Sequence, residues 1–188
     1  LPLTESFLEA VFDGIKDKSD VVQAAACTLL EESAEAIQRL GAGIVARVVD
    51  VLDNALDSSR GTLVAKACRA LRAYGSAATP SVPRLVTLAN TGEPLVAGAA
   101  IETLVDLSPA EIVPRIIEKI EVASKDTVSD HRYLKMMWAI CAARRLGEHG
   151  RVALPALERI KRRDDTAFIQ EEIDETIKAI LEPQGSSR

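Results

Sequence analysis

The sequence predicts an all-α chain, a right-handed α-solenoid of about four to five helical hairpins. Three observations carry that expectation. Apolar residues recur at helical spacing along most of the chain, one hairpin phrase returns several times, and the apolar content is almost entirely aliphatic. Of 188 residues, 47% are hydrophobic but only 3% are aromatic, so any core is built from Ala, Val, Leu and Ile. A core gathered around one centre normally uses larger rings to fill it. A thin, layered core does not need them.

The elements follow in order. An N-terminal helix, about Thr4 to Asp17, reads as the second half of a hairpin. First helices of successive hairpins then start near Asp20, Thr62, Pro94, Arg132 and Thr166. Those intervals, roughly 32 to 42 residues, suit helical-hairpin repeats. Val64, Ala67, Cys68 and Leu71 form one apolar stripe. Ala97, Ala100, Ile101 and Leu104 repeat it, as do Met136, Ala139, Ile140 and Ala143. The earliest stripe runs through Ala26, Cys27 and Leu30, with Gln23 in place of an apolar residue. After it, EESAEAIQRLGAG is an insertion, so either one helix runs from Asp20 to Leu40 or it breaks near Ser33. The C-terminal helix, about Thr166 to Leu181, reads as an unpaired first half or a cap. No segment reads as a strand.

The breaks between paired helices carry their own signals. Gly75 precedes SAATPSVPRLV, Leu107 precedes SPAEIVPRII and Gly147 precedes EHGRVALPALERI. Glycine after a helix permits the left-handed cap conformation, and proline is tolerated in the first helical turn. Pro80 and Pro83 cannot both hold the first helical position, so one of them marks the turn between the helices. Ser108-Pro109-Ala110-Glu111 is a capping-box start, with a capping serine, proline at the first position and glutamate at the third. Each second helix is expected to bury Leu85, Ile116 or Leu157, two residues beyond its proline.

On these residues the chain resembles HEAT-type repeats. The match lies in the alanine-rich first helix, the small turn, and Val82-Pro83-Arg84-Leu85, Val113-Pro114-Arg115-Ile116 and Leu154-Pro155-Ala156-Leu157. The flavour is similar to the short HEAT-like units of the phycobilisome-lyase type, and the resemblance spans about residues 20–182. It implies architecture rather than task. The first hairpin departs from the pattern, with Val48-Val49 where the others carry proline. A single repeat domain is expected over 1–182, excised from a longer protein because the chain begins at Leu1, with a flexible tail over 183–188.

Composition excludes several classes. A net charge of −5 argues against nucleic acid, whose footprint is concentrated Lys and Arg. No apolar run approaches bilayer length, so no membrane partner is expected. Cys27, Cys68 and Cys141 form neither a CxxC pair nor an even disulfide set, which favours a reducing compartment and a cytoplasmic location. Cys27 and Cys68 read as small core residues at equivalent repeat positions. His131 and His149 lack neighbours at metal-ligand spacing. No phosphate loop, nucleophile elbow or dinucleotide fingerprint is present. The expectation is therefore a non-enzyme, with no catalytic residue, cofactor or metal. Trp138 reads either as a binding anchor or as a half-buried cover over a repeat junction.

Charge is segregated. Residues 1–57 hold 4 basic and 11 acidic side chains, whereas residues 132–163 hold 9 basic and 2 acidic. One explanation is attraction between neighbouring repeats. The other is a basic strip on the second helices, which line the concave surface of HEAT-type solenoids. In that register Arg84, Arg115, Lys119, Arg159 and Arg162 point away from the apolar stripe and are the candidate contacts for a protein or acidic peptide partner. The leading expectation is thus a protein-interaction scaffold. The lyase-type flavour implies an alternative, a bilin lyase-like or tetrapyrrole-handling subunit gripping propionates through Arg144, Arg145 or Arg159. A second alternative is a tubulin-binding array similar to the TOG type, although the turns GSAATPS, SPAE and GEHGR are mostly neutral and Trp138 is mid-helix.

Overall fold

The computed structural model describes residues 4–125, 132–163, 167 and 169–182. Its regular elements are all helical, with no strand among the described residues. The expected starts at Thr166 and the tail at 183–188 lie outside them. The chain divides into two compact units, Leu1–Leu107 and Ser108–Arg188.

The first unit contains α1 (Glu5–Ile15), α2 (Asp20–Glu32), α3 (Ala34–Arg39), α4 (Ala42–Ala55), α5 (Gly61–Arg72), α6 (Val82–Thr91) and α7 (Pro94–Leu107). Thr4 caps α1 by accepting the Phe7 N–H at 3.2 Å. The helix after Asp20 breaks at Ser33, whose φ of −91° and ψ of 2° leave the α-helical region. Helix resumes at once, and Gly41, at φ 115°, turns the chain into α4. Because α4 starts there, Val48 and Val49 fall mid-helix and are buried, so a proline in that place would interrupt the hydrogen-bond ladder.

Packing in this unit is serial. α1 lies on α2, α2 on α5 and α5 on α7, while α4 packs on α5 and α6 on α7. The stripes foreseen from spacing are the buried faces. Ala67, Cys68, Leu71, Ala100 and Leu104 have no exposed surface. Small residues on both sides let α5 and α7 approach closely. The approach is pinned by the Thr103 hydroxyl, whose oxygen lies 2.8 Å from the Cys68 carbonyl across the interface and 2.9 Å from Ala99 on its own helix. Tyr74, just beyond α5, donates its hydroxyl to the Leu30 carbonyl at 2.7 Å, near the end of α2 where carbonyls lack helical partners.

The second unit contains α8 (Pro109–Lys125), α9 (Arg132–Arg145), α10 (Leu154–Lys161) and α11 (Gln170–Leu181). α9 packs on α8 and α11, and α10 on α8 and α11. Met136, Ala139, Ile140 and Ala143 of α9 are buried, with Ile173 and Ile180 of α11. The outward positions of α11, including Gln170, Glu171, Asp174, Glu175 and Lys178, are polar and exposed.

The two glycine-led turns have the same form. Gly75–Ser81 and Gly147–Ala153 are 3-10 turns, opened by glycines at φ 54° and 52°. Of the two prolines left open by the sequence, Pro80 lies in the turn and Pro83 is the second residue of α6. Pro155 is likewise the second residue of α10. Pro114 differs, because it lies inside α8. With Ser108-Pro109 starting the helix and no glycine after Leu107, the segment that elsewhere forms a 3-10 turn is α-helical here.

Candidate interaction surface

The five candidate cations are not equally open. Arg84 is on α6 in the first unit, while Arg115, Lys119, Arg159 and Arg162 belong to the second. Arg84 reaches back to α4. Its guanidinium donates at 2.8 Å to the Asp53 carbonyl, at 2.7 Å to the Asp53 carboxylate and at 2.7 Å to Asp57. Arg159 on α10 makes the corresponding move to Glu121 on α8. Arg115 stands beside Glu118 on its own helix at 3.7 Å. Lys119 is half-buried on α8, and Arg162, which follows α10, is exposed.

Within each unit the charges pair between helices, and the structure names the partners. Arg47 on α4 holds Glu5 and Glu9 of α1 and lies 5.8 Å from the Phe12 ring centre. Its pKa is raised, chiefly by the hydrogen bond to Glu9. Arg84 repeats the pattern one hairpin later, and Arg159 shows it in the second unit. In each case a second-helix arginine bonds acids on the preceding second helix. First helices are joined similarly. Arg72 lies 3.7 Å from Glu31 on α2 and 3.7 Å from Asp106 on α7, and Arg69 lies 3.9 Å from Glu102. The basic stretch 132–163 is matched in the same way. Arg144 meets Glu175 at 2.8 Å, and Lys161 meets Asp174, whose hydrogen bond is the main reason its pKa is raised.

Arg60 is a further organising residue that spacing did not single out. It donates to the Lys18 carbonyl and the Gln23 side-chain oxygen, each at 3.0 Å, and lies 2.8 Å from Asp20. Gln23 in turn donates to the Asp17 carbonyl at 2.8 Å. This accounts for a glutamine in an apolar stripe, since its amide is satisfied at both ends. A polar residue at a core position, with an arginine one repeat later, was the available signal.

The remaining candidates are quickly placed. Cys27 and Cys68 are buried, and loss of water around them raises their thiols to about 11 and about 12. Cys141 is exposed. His149 is exposed in the second 3-10 turn, while His131 lies outside the described residues. Trp138 lies on α9. Among the described residues, no group of His, Cys, Asp and Glu is placed to hold a metal ion, and no helix is long and apolar enough to cross a membrane. No family model matches the chain, and no curated protein matches it.

Proposed function

We propose that the chain is a non-enzymatic protein-interaction module, a HEAT-like α-solenoid presenting an extended, partly basic surface to a protein or acidic peptide. The observation that carries this reading is the serial seating of α2, α5 and α7, each helix covering its neighbour through equivalent positions. Such stacking spends its apolar faces on neighbours and leaves broad polar faces for partners. Arg115, Arg159 and Arg162 form the recognition group, exposed on α8 and at α10. Because Arg159 bonds Glu121 in the unbound chain, an acidic ligand has to displace that carboxylate.

The test follows from that competition. A short glutamate-rich peptide is titrated into the full chain by fluorescence anisotropy. Joint Arg115→Glu and Arg159→Glu substitution should weaken binding and flatten its salt dependence. Glu121→Gln should strengthen it by releasing the guanidinium. Binding that ignores all three changes, or no binding at low salt, rejects this surface.

A further inference from the structure

Two arginines of the second helices grip acids in one shared geometry. On Arg47 of α4, Nη1 lies 3.3 Å from Glu5 and Nη2 meets Glu9, both on α1. On Arg84 of α6, Nη1 lies 2.7 Å from Asp53 on α4, and Nη2 lies 2.7 Å from Asp57 just beyond that helix. Each guanidinium thus spans two carboxylates four residues apart, and in both the same nitrogen takes the N-terminal acid. Side chains at that spacing stand one above the other on a helix. A planar fork of donors matches such a pair, whereas a compact ammonium does not.

Arg115 stands at the same place in its hairpin. Val82-Pro83-Arg84-Leu85 and Val113-Pro114-Arg115-Ile116 share a register, since Leu85 and Ile116 both have no exposed surface. In the earlier cases the acids belong to the second helix that comes before in the chain. For α8 that helix is α6, Val82–Thr91, which contains neither Asp nor Glu. Among the described residues Arg115 makes no hydrogen bond, and its one ion pair is with Glu118 of its own helix at 3.7 Å, both side chains being exposed. A pair of that kind contributes little and is readily given up. Arg159 differs, because it already holds Glu121 on α8.

We infer that Arg115 binds a helix of a partner protein that presents two acidic residues four apart, with one carboxylate on Nη1 and the other on Nη2. This rests on the reading of Arg115, Arg159 and Arg162 as the recognition group, and it names what that group selects. Charge-assisted hydrogen bonds from both nitrogens replace the single contact to Glu118. An acidic segment with its carboxylates at another spacing offers Arg115 only one of them at a time. Arg159 and Arg162 add attraction to any acidic ligand, so discrimination by spacing falls to Arg115.

The probes are two capped, alanine-based helical peptides of about 20 residues, long enough to hold a helix in water. Both carry the same glutamates, set as pairs four apart in one and two apart in the other, and circular dichroism is used to match their helicity. Each is titrated into the full chain at low salt by fluorescence anisotropy. The first should bind roughly tenfold tighter than the second. Arg115→Lys keeps the charge but lacks the fork, so it should bring the two affinities together, while Arg159→Lys leaves the preference intact. Equal binding of the two peptides by the parent chain, or a preference that survives Arg115→Lys, overturns the assignment. If both bind equally and joint Arg115→Glu and Arg159→Glu substitution still weakens them, only the spacing rule fails and the acidic-ligand surface stands. Absence of binding by either at about 1 mM peptide rejects both. Self-association of the free chain in sedimentation that Arg115→Lys abolishes also overturns the assignment, because the acid pair then belongs to a second copy.

Discussion

Cys27 and Cys68 show how much a single residue reveals before any fold is known. Their alanine-rich surroundings and equivalent places in the repeat foretold burial, and both are sealed from solvent. Burial holds their thiols neutral, raising them from 9.0 to about 11 and about 12. A group with a raised folded pKa contributes stability that is complete below its unfolded pKa and lost as pH rises through the folded value. Thermal stability of the parent should therefore fall relative to a Cys68→Ala variant between about pH 9 and pH 12, and the difference should be constant below that window. Alkylation near pH 8 should label Cys141 quickly and leave the other two until the chain unfolds. Tyr74 was not legible in this way. Its hydroxyl bonds Leu30, which lies on another helix and is identified by no local pattern. Tyr74→Phe should cost about 1 kcal/mol in chemical denaturation, with the helical content unchanged.

Helices and turns were the most readable elements because their signals are local. A 3.6-residue apolar period, a capping serine or a glycine past the last turn acts within a few residues. Gly75 and Gly147 take the left-handed conformation that their position after a helix required. Nothing lies within 4 Å of a Cβ built on either glycine, so Gly75→Ala or Gly147→Ala should cost only the backbone term, about 1 kcal/mol. Gly150 is different, since a Cβ there would come within 2.7 Å of the Ala143 carbonyl oxygen. Gly150→Ala should lower the melting temperature more than either of the other two, measured in one calorimetric series. Pro114 marks the edge of legibility. The same Val-Pro pair begins α6 but sits inside α8, because the preceding residues decide where each helix starts.

At the scale of the whole molecule, the charge segregation of the sequence is the feature most altered by folding. The stretch with 9 basic residues left two readings open, attraction between neighbouring repeats or a basic strip for a partner, and Arg144, Arg159 and Lys161 each meet an acid on another helix of their unit. The outward positions of α11 are polar and exposed, whereas Val22 and Leu29 of α2 are apolar and exposed. α11 should matter accordingly. Ile173→Ala, at a fully buried position on α11, should cost about 2–4 kcal/mol. The fluorescence melt of Trp138, the chain's single tryptophan, reads that loss in the second unit. The sequence alone determined that the chain is helical, where most helices begin, and which face of each is buried, because caps and apolar periods act over a turn or two of chain. Only the tertiary structure decided which arginines are already paired and which aliphatic residues remain uncovered. Those outcomes depend on a neighbouring helix some 30 to 40 residues away, and a local pattern carries no information about whether that neighbour is present or what charge it brings.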